Sequence, residues 1–303
     1  LRVEYFVSMK NMDPKLISMV GEFRRIATEE LKPRFGKLQS AEIHQHSDGS
    51  LYTEADLQTE RRLIAAASKI YPNAISTGEE QISEDPQGFL NFAHKQTVWI
   101  FDPIDGTGAF KNGDPRYGMM GALVDHGQTI AGIIYTPEQD LIIVSEKDKG
   151  CWVMQNGDFM NAEQISLKFR PTSLTDKARI AFACRNQDRH YEESLAVDVD
   201  GYKPRNNSSY DYTCLLGGKI DANFYSEGFT NQGLGKCPPW DHAAGVLCVT
   251  EAGGFAALPY AAEGVTYNPL ICHDRLLIAA NQELFRDVHR HINARSPELL
   301  SPR

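Results

Sequence analysis

What this chain of 303 residues lacks already narrows its function. It has no surplus of positive charge: 31 Lys and Arg stand against 40 Asp and Glu, a formal net charge of −9. Binding along a phosphate backbone needs clustered cations, so no nucleic-acid partner is expected. No apolar run approaches the ~20 residues that a bilayer-spanning helix requires, so no membrane partner is expected either. The opening stretch LRVEYFVSMKN has no basic leader followed by a long apolar core, and is not read as a signal peptide. The six cysteines, Cys151, Cys184, Cys214, Cys237, Cys248 and Cys272, form no C-x-x-C pair. A chain this long does not need disulfide staples, so free thiols in a reducing cytoplasm are expected. There is no internal repeat and no low-complexity tract.

What is present suits a large globular domain, or two halves sharing an interface. Residues 12–34 predict an amphipathic helix, with Asp13 as cap, Pro14 in the first turn, and Leu16, Ile17, Val20, Phe23, Ile26 and Leu31 on one face. A second helix is expected over 53–71, capped by Thr53, then a short strand in PNAIS, a short helix over 89–93 and the strand TVWIF. Residues 119–125 and 129–135 suit an antiparallel pair turning through His126 and Gly127, continued by LIIVSEK and GCWVMQNG. Further strands are expected at 179–184, DANFY and LLIAA, with helices over 210–217, 241–251 and from Gln282 onward. Composition changes over 155–175, which predicts an N-terminal half of 1–160 and a C-terminal half of 161–303. Helices first, strands in runs next and a mixture last favour layered α and mainly antiparallel β over a doubly wound parallel sheet.

The stretch with the most chemistry is WIFDPIDGTGAF, residues 99–110. In an extended strand Asp102 and Asp105 would point to opposite faces, roughly 10 Å apart. Asp-Pro-Ile-Asp instead predicts a type I turn, whose ends lie within ~7 Å and bring the two carboxylates together. Converging carboxylates repel unless a proton or cation sits between them, and hard oxygen ligands suit Mg²⁺ or Mn²⁺. Gly106 permits close backbone approach, and the Gly106 and Thr107 amides opening a short helical turn could hold a phosphate oxygen. Taken alone, the segment reads equally well as a solvated turn. Glu79 and Glu80, after a predicted strand, are another source of ligand or a solvated face. Asp241 in PPWDHAAG is a ligand or a helix-capping acid.

In this order and at these distances, GEE, W-x-x-DPIDGT and WD-x-AAG resemble the signatures of the inositol monophosphatase family of metal-dependent phosphomonoesterases. EAGG at 251–254 and IAAN at 278–281 agree, and the resemblance covers about residues 13–292. It implies an α+β fold, a layered α-β-α-β-α sandwich with mainly antiparallel sheets. It implies two or three Mg²⁺ ions, replaceable by Mn²⁺, on Glu79, Asp102, the Ile104 carbonyl, Asp105 and Asp241. Most ligands would then lie in the N-terminal half, the C-terminal half adding Asp241 and substrate contacts. Thr107 and Glu79 would orient and activate the attacking water. Asp56 in YTEAD matches an acid near the site, implied to assist catalysis from behind the ligands or to hold a third metal weakly, the competing reading being a polar position on the exposed face of its helix. Asp105 and the Gly106 and Thr107 amides would meet the substrate, a small phosphorylated metabolite. Lithium inhibition and a homodimer are implied as well.

Where many members carry Gly-Ser-Ala, this chain has Asn207-Ser208-Ser209-Tyr210, and the interval SEGFTNQGLGKCPP is longer than usual. Ser208, Ser209 and Glu227 are the remaining candidate substrate contacts. Inositol monophosphate is therefore one candidate beside histidinol phosphate, fructose 1,6-bisphosphate and 3′-phosphoadenosine 5′-phosphate. A family-like regulatory binding protein with little catalysis is the alternative, and retention of all four acidic positions and Thr107 speaks against it. His44 and His46, as H-x-H without further spaced partners, read as polar surface. His242 reads as a first-turn residue, and Ser208 and Ser209 have no His-Asp relay.

Overall fold

The computed structural model describes residues 11–46, 49–85, 87, 89, 94, 96–184, 207–226, 237–260 and 264–301. Glu227, most of the 226–239 interval and residues 90–93 of the expected short helix lie outside the described residues.

Helix α1 (Pro14–Ile26) starts where Asp13 accepts a hydrogen bond from the Lys15 amide at 2.9 Å, and buries Leu16, Met19, Val20, Phe23 and Ile26. It does not run on as α-helix to residue 34. Ala27–Leu31 continues as a π-helical turn in which Ala27 and Leu31 are buried. Regular α periodicity carries position 31 about 140° round from position 26, and the wider turn returns Leu31 to the buried side. The hairpin β1 (Ile43–Gln45) and β2 (Leu51–Thr53) was not visible in the sequence pattern. Helix α2 (Glu54–Ile70) opens on a capping box: Thr53 accepts from the Ala55 and Asp56 amides while Asp56 accepts from the Thr53 amide.

Strands β3 (Ile75–Gly78), β4 (Thr97–Asp105), β5 (Gly118–Asp125), β6 (Gln128–Thr136), β7 (Leu141–Glu146), β8 (Cys151–Gln155) and β9 (Glu163–Ile165) form one sheet in sequence order. Only β3 and β4 pair in parallel; every other neighbour is antiparallel. Between them come the short helices α3 (Glu79–Glu84) and α4 (Thr107–Lys111). Alternation along β4 covers both faces, as a doubly buried sheet requires. Trp99 and Phe101 pack with Phe23 and Leu63 of α1 and α2, whereas Val98 and Ile100 face the other way.

On that other side lie helices α5 (Ser208–Leu216) and α6 (Pro239–Glu251). A Cβ at Gly132 would sit 2.9 Å from the Ala244 carbonyl, so α6 rests directly on β6. The second sheet has the order β10-β11-β13-β12, from β10 (Ile180–Cys184), β11 (Ala222–Ser226), β12 (Phe255–Ala257) and β13 (Arg275–Ala279). It gives Ala181, Tyr225 and Ile278 to α5 and α6, and Phe182, Phe224 and Leu277 to α7 (Gln282–Arg295). The layers are α-β-α-β-α. The segments carrying Glu79, Asp102, Asp105 and Asp241 meet where β3, β4 and α6 converge.

Candidate metal centre

Strand β4 does not end at Phe101, and Asp102-Pro103-Ile104-Asp105 is not a turn. Asp102 stands opposite Met120 and Asp105 opposite Gly118, with the register shifting between them. Three steps along β4 thus match two along β5, which is a β-bulge. The extra residue reverses the alternation of the strand, so carboxylates three positions apart emerge on one side. Pro103 fits because a bulge leaves one residue out of the ladder. The turn prediction had the right outcome and the wrong cause.

Asp241 comes from the first turn of α6, whose N-cap is Pro238 and carries no side-chain bond, so Asp241 is not the cap. Asp102, Asp105 and Asp241 each bring a carboxylate oxygen within 4.8 Å of the other two. Glu79 lies outside that set of three. It opens α3 at the end of β3, where Gly78 pairs with Phe101, and it faces Asp241, Asp56 and Asp105 electrostatically.

Burial first, and then the neighbouring negative charges, push Asp102 and Glu79 well above the ordinary carboxylate range. Burial also pushes Asp56 up to about 7 against the hydrogen bonds of Thr53 and Thr107, Glu60 up to about 7 and Glu80 up to about 9. One oxygen of Asp102 is buried with no hydrogen-bond partner. A converging set of hard oxygens, with a buried acceptor of Asp102 left without a partner, is what a divalent cation would satisfy.

A stability prediction follows. An acid whose pKa is raised by folding holds a proton in the folded chain that the unfolded chain has released. Between about pH 4 and the raised values, each such group therefore makes stability fall as pH rises. Metal-free protein is expected to melt several degrees lower at pH 9 than at pH 6, and Mg²⁺ to remove most of that difference. Melting curves with chelator and with Mg²⁺ check it; identical slopes would contradict a shared acidic cluster.

Asp56 is fully buried, which overturns the exposed-face reading. The Thr107 hydroxyl is within reach of Asp56 Oδ1 at 3.4 Å and of the Ile104 carbonyl at 3.2 Å. Gly106 has φ +85°, and a Cβ there would meet the Asn207 side chain at 2.6 Å, so both conformation and space require glycine. Ser208 and Ser209 open α5 against Asp105: their amides donate to it at 3.0 and 2.7 Å, and the Ser209 hydroxyl at 2.5 Å. His44 and His46 are partly buried, Nε2 of each 3.0 Å from Glu54 and Glu80 respectively. His242 is buried and bonded through Nδ1 to Tyr212 at 3.1 Å.

Sequence reading missed Glu60, which accepts from the Glu80 and Gln81 amides at 2.8 and 3.2 Å. The available signal was its spacing: four residues after Asp56, it shares that helix face.

Five alternating layers around a trio of aspartates, two of them buried and Asp241 half-buried, define an α+β protein with a cluster that could hold a metal ion. The chain belongs to the inositol monophosphatase family, whose sequence model matches residues 15–296. It is 26% identical over 247 residues to an inositol-1-monophosphatase of Mesorhizobium japonicum, covering 80% of this chain and 85% of the relative. It is 23% identical over 249 residues to the Nus factor SuhB of Xylella fastidiosa, covering 80% and 82%. In fold it is similar to an IMPase of Thermotoga maritima, with a TM-score of 0.73, 20% identity and coverage of 92% and 97%. Among the described residues no helix is long and apolar enough to cross a membrane.

Proposed function

We propose that this chain is a Mg²⁺-dependent phosphomonoesterase acting on a small phosphorylated metabolite in the cytoplasm. The convergence of Asp102, Asp105 and Asp241 within 4.8 Å carries the reading. Those three, Glu79 and the Ile104 carbonyl would hold two or three Mg²⁺ ions, for which Mn²⁺ could substitute. A divalent cation there would acidify the attacking water and offset charge on the phosphoryl oxygens. Thr107 and Glu79 would orient that water, and Asp56, whose Oδ1 lies 3.4 Å from the Thr107 hydroxyl, would take up the proton that this hydroxyl gives up as it accepts one from the water. The Gly106 and Thr107 amides hold the phosphate. Ser208 acts on the substrate through Asp105 by way of its amide, and Ser209 by way of its amide and hydroxyl.

Inositol monophosphate, histidinol phosphate, fructose 1,6-bisphosphate and 3′-phosphoadenosine 5′-phosphate form the test panel. Phosphate release from at least one is expected with Mg²⁺ and not with chelator, with inhibition by lithium, from a homodimer in solution. A regulatory reading keeps a place because the relatives include a Nus factor. Silence across the panel, with Mg²⁺ binding confirmed by calorimetry, would favour it.

A further inference from the structure

We infer that Glu60 is the positioning residue for Glu79, an inference resting on the ligand role of Glu79 proposed above. Helix α3 has only six residues, and its N-cap is Gly78, which has no side chain to cap it. The first amides of a helix need acceptors from elsewhere. Glu60, 3% exposed on α2, supplies both: Oε2 takes the Glu80 amide at 2.8 Å and Oε1 the Gln81 amide at 3.2 Å. The two bonds fix the rotation of the first turn of α3, and with it the direction in which Glu79 leaves the sheet.

Gly78 belongs to the same device. A Cβ at that position would lie 2.3 Å from Glu60 Oε2 and 2.8 Å from its carboxyl carbon, so the carboxylate reaches the amides only because residue 78 has no side chain. Gly78 pairs with Phe101 in the parallel β3–β4 register, which starts α3 alongside Asp102. The buried Glu60 carboxylate also faces Glu84, which disfavours its charge, and Arg61, which favours it. Its forked pair of acceptors matches two successive amides, which a single hydroxyl or amide oxygen does not.

Glu60→Gln keeps the shape but turns one acceptor into a donor facing an N–H. Calorimetric Mg²⁺ titration of the folded protein is expected to show affinity at least ~10-fold weaker, the scale found when a group that orients a ligand is lost. Glu79→Gln, run beside it, separates the two ideas. Weakened binding in both supports the positioning role. Weakened binding in Glu79→Gln alone overturns it and leaves the ligand role standing. Unchanged binding in Glu79→Gln overturns the ligand role and this inference with it.

A cycle excludes a merely structural effect. Gly78→Ala is expected to weaken Mg²⁺ binding by a similar factor, because the new methyl displaces Glu60. On a Glu60→Ala background, where that space is free, Gly78→Ala should add less than ~2-fold. Full additivity of the two losses would overturn the inference, as would wild-type affinity in a folded Gly78→Ala protein.

Discussion

Asp241→Asn is expected to lower turnover at least ~100-fold and to weaken Mg²⁺ binding, while the metal-free variant should melt no lower than the parent. The loss follows from the proposed site: a ligand disappears, and charge and orientation go with it. The retained stability follows from the repulsion. Asp241 raises the pKa of both Asp102 and Glu79, so removing its charge relieves both carboxyl groups. It is not the cap of α6, so that helix loses no capping bond. Asp105→Asn should fall as far in turnover and differ in stability. Asp105 satisfies the first amides of α5 through Ser208 and Ser209, and an asparagine can present an acceptor to only one side of that set. A loss of about 1–3 kcal/mol is expected for a buried donor left unmatched. Calorimetric titration and melting of both variants check the pair. Wild-type Mg²⁺ affinity in Asp241→Asn would remove Asp241 from the site.

The contrast between those two aspartates shows what the sequence could and could not convey. Caps were legible because they are local: Asp13 before Pro14 and Thr53 before α2 sit within a few residues of the amides they serve. The succession of helices and strands was legible because apolar periodicity is local too, whereas the order of the layers was implied only by the resemblance to the family. The bulge at Asp102–Asp105 was not, because it is a difference in count between β4 and β5 that neither strand shows alone. Capping of α5 by Asp105 joins residues more than one hundred positions apart, and nothing in Asn207-Ser208-Ser209 announces it. The π-helical turn at Ala27–Leu31 was hidden for a related reason: the sequence carries an apolar residue at 31, and only packing decides how the backbone delivers it. Asp56 stood between two readings because its helix position fits either, and burial removes the exposed-face one.

Thr107→Ala tests the proposed chemistry separately from the metal ligands. Its hydroxyl lies 3.4 Å from Asp56 and 3.2 Å from the Ile104 carbonyl, and its single proton can serve one of them at a time. It does not cap α4, since the N-cap is Gly106. Replacing it by alanine should therefore shift the melting temperature little. No carboxylate is lost, so Mg²⁺ affinity should stay near that of the parent, and the Thr107 amide remains for the phosphate. Turnover is expected to fall ~100-fold or more, the scale for removing a positioned group that handles a proton in the transition state. Thr107→Ser restores the hydroxyl and should recover much of the rate. The pH profile supplies a further check. The Thr107 bond holds the pKa of Asp56 down from where burial alone would put it, so in Thr107→Ala the acid limb should move to higher pH. Steady-state turnover across pH, with calorimetry and melting on both variants, separates the possibilities. A stable, metal-binding Thr107→Ala protein with full activity would rule out the catalytic role, whatever the ligands then prove to be.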